Sequence, residues 1–176
     1  MRILAFSALL LLPPPAYAVG SEDEAPTATE TTTACTAGQM WDVGGDVCID
    51  PEDDGIDNDS RFAAVRELAY GGKADEALRV LDAMNEGATD RVLTYRGFVL
   101  RKARRYDESL AAYAAALAQN PDNILARSYL GMALVEMGDQ TKAKEQLTEI
   151  RARGGAGSRA EAALDAAITT GKADNY

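Results

Sequence analysis

Three stretches of the chain repeat one another: GKADEAL at residues 72–78, RRYDESL at 104–110 and GDQTKAK at 138–144. The first two begin 32 residues apart and the last two 34 residues apart. Apolar residues recur at helical spacing before and after each stretch. A period of this length with two helical segments per unit predicts an α-solenoid, in which each helix pair stacks on the next.

The pattern inside one unit is clearest in the second, residues 90–123. Leu93 and Gly97 lie on one face of its first helix, and Gly97 is small where the two helices of the pair approach closely. The second helix is predicted to start near Asp107 and to end before Pro121, because proline cannot continue a helix. Over about 100 residues this region resembles the tetratricopeptide repeat, here of the exported bacterial type.

The resemblance implies an all-α fold, a tetratricopeptide-like solenoid of about three helix pairs over residues 58–156. A capping helix and tail are predicted at residues 157–176, because the last pair would otherwise leave an apolar face uncovered. Ser158 is expected to cap that helix and Gly171 to end it. The chain departs from the family at Arg96, where leucine or isoleucine is usual.

Members of this family bind partners mainly through the first helix of each pair. Carried over position by position, the resemblance implies a groove with an apolar strip and arginines at one end, suited to a peptide or helix with apolar anchors and an acidic flank. The pattern does not match the Lys/Asn clamp with which some members hold a C-terminal carboxylate. Packing between repeats is an equally good interpretation of Phe62, Phe98 and Met132. The implied groove positions are Phe62, Arg66, Arg91, Thr94, Phe98, Arg101, Leu125, Ser128, Met132 and Val135.

The first 18 residues, MRILAFSALLLLPPPAYA, have the features of a signal peptide. Arg2 is followed by ten apolar residues, and Ala16-Tyr17-Ala18 is a small-x-small cleavage site. The apolar run is too short to span about 30 Å of hydrocarbon as a helix. We therefore expect an exported, periplasmic protein that begins at Val19 and has no membrane span after cleavage.

The two cysteines, Cys35 and Cys48, are expected to form a disulfide. Export places them in an oxidising compartment, and twelve residues separate them. A redox or metal site is less favoured, since the spacing is not C-x-x-C and there is no second pair of ligands.

Charge divides the chain unequally. The formal net charge is -10, yet residues 19–60 contain twelve acidic residues and no Lys or Arg. Residues 19–57 are therefore predicted to be an irregular acidic segment around one disulfide loop. The acidic balance argues against a nucleic-acid partner.

One hypothesis is that this acidic segment folds back on the basic residues of the second repeat, and the alternative is that these basic residues form a solvated helix end. They are Arg96, Arg101, Lys102, Arg104 and Arg105.

Two alternative functions concern the acidic segment. The spacing of Cys35, Gly38, Trp41 and Cys48 resembles a fragment of the peritrophin-type chitin-binding pattern, which implies a cell-wall or carbohydrate-associated module. The run of acids at residues 50–59 is similar to a calcium-binding loop, but the place of the bidentate glutamate holds Arg61.

The chain has no histidine, which excludes His-dependent catalytic triads and His-ligated metals. No other catalytic constellation is evident, so the sequence predicts neither enzyme activity nor a cofactor or metal site. The predicted function is a protein–protein interaction adaptor of the cell envelope, whose partner is another envelope protein or a peptide segment of one.

Overall fold

The computed structural model describes residues 25–173. The predicted signal peptide, residues 1–18, lies outside the described residues. The elements in chain order are α1 Glu30–Thr33, β1 Met40–Asp42, β2 Val47–Ile49, α2 Asn58–Tyr70, α3 Ala74–Asp82, α4 Asp90–Lys102, α5 Tyr106–Gln119, α6 Ile124–Glu136, α7 Gln140–Ile150 and α8 Arg159–Thr170.

Polar side chains fix where several helices begin. Asp57, Thr89, Asn123 and Ser158 each precede a helix and accept a hydrogen bond from a backbone N–H of its first turn. These bonds satisfy donors that the helix itself leaves unpaired. The final helix, α8, ends at Gly171 in the left-handed conformation, so the predicted start and stop of the capping helix are confirmed.

The long helices form antiparallel pairs that pack in sequence: α2 with α3, α4 with α5, and α6 with α7. Within the second pair, Gly97 lies directly against the ring of Tyr113, which confirms the predicted close approach. The core follows the inner faces of the helices and includes Val65, Leu81 and Ile150, all nearly inaccessible to solvent. The predicted all-α architecture of stacked helix pairs is thus confirmed.

Helix α8 covers the last pair and runs in the same direction as α6. The hydroxyl of Ser128, early in α6, donates to the carbonyl of Ala160, early in α8. Further along, Gly131 lies against the side chain of Leu164. A wide turn at residues 151–155 connects α7 to α8, with Gly155 packed against Ile150. Helix α8 therefore takes the place that the first helix of a fourth pair would occupy.

The prediction that residues 19–57 are irregular holds for most of the described part, but α1, β1 and β2 are short ordered elements that the sequence did not predict. Strands β1 and β2 form an antiparallel hairpin in which Trp41 pairs with Cys48. The Cys35–Cys48 disulfide, which is present as predicted, joins this hairpin to the residues that follow α1. Short local elements form because the covalent link and contacts with α2 and α3 replace the core that the segment lacks.

Buried side chains of the first helix pair hold this segment in place. The carboxylate of Glu67 accepts hydrogen bonds from the backbone N–H and the hydroxyl of both Thr29 and Thr32. The guanidinium of Arg61 donates to the backbone carbonyls of Pro51, Asp53 and Ile56 at 2.7 to 2.8 Å. The hairpin and the acidic loop thus form one folded unit with α2.

No helix within residues 25–173 is long and apolar enough to cross a membrane.

Candidate functional site

The structure brings the predicted groove residues together along α2, α4 and α6, but it buries most of them. Three are partly exposed, namely Arg66, Arg91 and Leu125. A partner that docked on this conformation would therefore meet a surface in which only these three predicted positions are open to contact. The seven buried positions are Phe62, Thr94, Phe98, Arg101, Ser128, Met132 and Val135.

Aromatic rings fill the space between the first helices of the pairs. The Phe98 ring lies 5.0 Å from that of Tyr129 and 5.3 Å from that of Tyr70, centre to centre. Phe62 meets Tyr95 edge to face at 4.2 Å. Offset and edge-on contacts of this kind add to the stability gained from burying the rings. The packing interpretation therefore accounts for Phe62 and Phe98, and Met132 is equally buried.

The two hydroxyl groups among the predicted positions join successive helices. Thr94 donates to the carbonyl of Asp90 in its own helix and accepts from the side-chain amide of Asn123, which caps α6. Ser128 makes the corresponding link from α6 to Ala160 in α8. These contacts satisfy polar groups inside the solenoid and set the distance between neighbouring pairs.

Arg101 is the most unusual of the predicted positions, because its side chain is only 2% exposed. One guanidinium nitrogen, Nη1, donates to Glu136 at the end of α6 over 2.6 Å. The guanidinium also lies 5.7 Å from the centre of the Phe98 ring, within cation–π range. Burial raises the pKa of the nearby Tyr113 hydroxyl, an effect that the charge of Arg101 opposes. The expectation of a solvated helix end is therefore wrong for Arg101.

Arg91 lies at the open side of this surface. Its guanidinium stacks 3.8 Å from the centre of the Phe62 ring and pairs with Asp59 of the preceding repeat at 3.1 Å. Nη1 also lies 3.9 Å from Glu86, so two carboxylates of the chain share this guanidinium, whose side chain is 37% exposed.

The described part of the acidic segment does not pair with the basic residues of the second repeat. Its carboxylates at Asp50 and Glu52 instead bind Arg79 of the first repeat, at 3.1 and 2.8 Å. Arg96 pairs with Asp82, and Arg105 with Glu108. Residues 25–57 are thus held on the first helix pair, so the structure offers no support there for masking of the second repeat.

A cleft of about 300 Å³ lies between the hairpin and the start of α2. Trp41 and Met40 line one side, and Ile56 and Asp57 line the other. The Trp41 backbone N–H donates to the hydroxyl of Thr31 at 3.1 Å, which fixes the strand next to α1. The side chain of Trp41, which was predicted to stack on a sugar ring, is half-buried at the edge of this cleft.

The acids of residues 50–59 serve local structure. Asp57 caps α2, and the side chain of Asp53 accepts from the backbone N–H of Gly55 at 2.8 Å. Among residues 25–173 no group of three or more Asp, Glu, Cys or His side chains is arranged to hold a metal ion.

Sequence reasoning missed one feature of the surface, the conformation of Arg104. This residue has a φ of +60° in the turn between α4 and α5, where the equivalent turns have Gly72 and Gly138 at +76° and +83°. The aligned repeats could have indicated this conformation. Arg104 stands at the position where the other two repeats have glycine, the residue that adopts a positive φ most readily.

Comparison with protein families agrees with the geometry. Residues 100–167 match the family model described as tetratricopeptide repeat, a span from the end of α4 to near the end of α8. No curated protein and no solved structure matched the chain significantly. The match covers α5, α6, α7 and most of α8, while α2, α3 and most of α4 lie outside it. The match covers 68 of the 176 residues, so residues 100–167 are similar to the tetratricopeptide repeat, which is a module for protein–protein interaction.

Proposed function

We propose that this protein is a non-enzymatic adaptor of the cell envelope that binds a peptide or helix of another envelope protein. The observation that carries the proposal is the shared face of α2, α4 and α6, where three successive first helices lie side by side. Arg66, Arg91 and Leu125 are the open positions on that face, and they combine two cationic groups with one apolar side chain. The buried positions beneath them make the face rigid, which reduces the entropy lost on binding.

Location in an oxidising compartment is part of the proposal. The Cys35–Cys48 disulfide is consistent with such a compartment. The signal-peptide pattern of residues 1–18 supports export independently, although those residues lie outside the described part of the chain.

Site-specific photo-crosslinking tests the binding face. A photoreactive residue would replace Leu125 on α6 or, as a matched control, Leu117 on α5, since both leucines are half-buried. The proposal predicts a discrete crosslinked partner from position 125, in cells that export the full chain, and none from position 117. Equal crosslinking from the two positions, or crosslinking from 117 alone, would contradict binding on this face.

An alternative candidate function is glycan binding in the cleft beside Trp41. Its support is the volume of the cleft and the aromatic side chain at its edge. Titration of the purified protein with chitin oligomers, followed by the fluorescence of Trp41, the one tryptophan in the chain, tests it. A fluorescence change that saturates favours the cleft, and an unchanged spectrum excludes it.

A further inference from the structure

A row of aromatic rings links the first helices of the three pairs, and Tyr70 is its partly exposed end. The Tyr70 ring, at the end of α2, lies 5.3 Å from that of Phe98 in α4, which in turn lies 5.0 Å from that of Tyr129 in α6. The ammonium of Lys102 is 5.6 Å from the centre of the Tyr70 ring. The exposed end of the row therefore has a cation beside it.

Arginines from both ends of the solenoid act on Tyr70. Arg66 lies four residues before it, on the same face of α2. Arg159 is the first residue of α8, whose start is held against α6 by the hydrogen bond from Ser128. Burial raises the pKa of the Tyr70 hydroxyl, and the charges of Arg66, Arg101 and Arg159 oppose this rise. Positive charge thus converges on the hydroxyl from α2, α4 and α8.

Helix dipoles do not explain why Arg66 and Arg159 lie here. Arg66 precedes the last turn of α2, and the negative end of a helix acts mainly within that turn. Arg159 stands at the N-terminus of α8, where the partial charge of the helix is positive and a cation is unfavourable. Both side chains are at least partly exposed, so an anionic group can approach them.

A run of acids precedes the described part of the chain and matches this face in charge. Residues 22–24 are Glu-Asp-Glu, in a segment without Lys or Arg. Thr29 donates to the Glu67 carboxylate from its backbone N–H at 2.7 Å and from its hydroxyl at 2.8 Å, and Glu67 directly follows Arg66 in α2. Glu24 comes five residues before Thr29, a length of chain that spans up to about 17 Å. The acids are therefore tethered within reach of Arg66.

We propose that the carboxylates of residues 22–24 bind Arg66 and Arg159 on this face, so that the chain occupies its own binding surface. The Tyr70 hydroxyl is a further donor for them. Attachment at Thr29 gives the acids an effective concentration in the millimolar range, at which weak ion pairs form and a partner can still displace them. The effect on a partner rests on the proposed function, whereas the docking of the acids does not. This contact differs from the predicted fold-back on the second repeat, because its two arginines belong to α2 and α8.

Zero-length crosslinking with a carbodiimide tests the contact, because the reagent joins a carboxylate only to an amine that touches it. Lys102 supplies the amine beside Tyr70, and Lys142 and Lys144 on α7 supply amines elsewhere. Protein comprising residues 19–176 would be treated in dilute solution at low ionic strength, so that crosslinks form within one chain, and analysed by mass spectrometry. We expect crosslinks from the acidic run to Lys102 and few to Lys142 or Lys144.

Arg66→Gln is the key variant and Arg151→Gln is its matched control. Arg151 lies in the turn between α7 and α8 and pairs with Glu161, so its replacement removes the same charge from another part of the surface. We expect Arg66→Gln to lower the yield of the Lys102 crosslink about threefold, and Arg151→Gln to leave it unchanged. Arg159→Gln should act as Arg66→Gln does, which keeps the test decisive if one variant folds poorly. No crosslink to Lys102, equal crosslinking to the lysines of α7, or a yield that neither variant lowers would overturn the proposal.

Neutralising the acids separates this inference from the proposed function. Replacing residues 22–24 by Gln-Asn-Gln should raise the yield of partner photo-crosslinking from position 125 about threefold, because the partner no longer competes with them. An unchanged yield would overturn the self-occupied surface. Carbodiimide crosslinks to Lys102 without any partner at position 125 would support the docking of the acids and contradict the proposed function alone.

Discussion

Gly97 in α4 and Tyr113 in α5 are in such close contact that the second repeat has no room for a side chain at position 97. A Cβ built on Gly97 would lie 2.6 Å from Cδ1 and 2.8 Å from Cζ of the Tyr113 ring. Carbon atoms in a packed interior are normally about 3.5–4.0 Å apart. The glycine therefore sets the spacing of the helix pair, and the ring on the opposite helix fills the space that it leaves.

Gly97→Ala should destabilise the fold by about 1–3 kcal/mol, because the Tyr113 ring is fully buried and cannot move away. Urea denaturation followed by circular dichroism measures the free energy of unfolding. Gly131→Ala should cost a similar amount, because Leu164 is equally buried and both of its δ carbons lie 2.6 Å from the Cβ position. A cost below about 0.5 kcal/mol for Gly97→Ala would show that the Tyr113 ring can move away.

Glu67→Ala should release the N-terminal segment from the first helix pair. Glu67 is 8% exposed and its carboxylate accepts four hydrogen bonds, so its removal leaves several donors unpaired at a cost of about 1–3 kcal/mol. Hydrogen exchange should show lower protection of residues 29–49 and little change in α6–α8. The exposed Glu145→Ala serves as the control and should change the free energy of unfolding by less than about 0.5 kcal/mol.

Replacing both cysteines by serine should destabilise the same segment. For a closed loop of about 15 residues the chain-entropy model gives about 3 kcal/mol. Because each repeat contacts mainly its neighbours, the effect should fade along the solenoid. Hydrogen exchange with and without reductant tests this. Equal loss of protection in α1–α2 and in α7–α8 would mean that the chain unfolds as one unit.

Stability should fall in acid partly because of two helix caps. Hydrogen bonds from the backbone and side chain of Ser60 hold the pKa of Asp57 below its ordinary value, and hydrogen bonds from Lys142 do the same for Asp139. A lowered folded-state pKa stabilises the protein fully above the unfolded value of about 4, and the stabilisation is lost as the pH falls through the folded value.

Asp57→Asn should therefore reduce the loss of stability between about pH 4 and pH 2, since asparagine caps a helix without titrating. Asp139→Asn should act in the same way, and the double variant should combine the two effects because the residues cap different helices. Urea midpoints at a series of pH values provide the measurement. Variants whose midpoints fall with pH as steeply as those of the wild type would show that these caps do not contribute.

The sequence by itself determined the period, the helix pairs and the disulfide. Helical spacing, capping residues and small residues such as Gly97 are local features that repeat along the chain. Each repeat therefore predicts the same pair of helices independently. Only the tertiary structure decided which side chains remain open. Phe98 and Arg101 occupy positions that face a groove in the family, yet neighbouring helices bury them, because burial depends on what packs against a residue and not on its spacing. The sequence likewise gave no reason for the acidic segment to be ordered, since the contacts that hold it come from Arg61, Glu67 and Arg79 on helices that lie further along the chain.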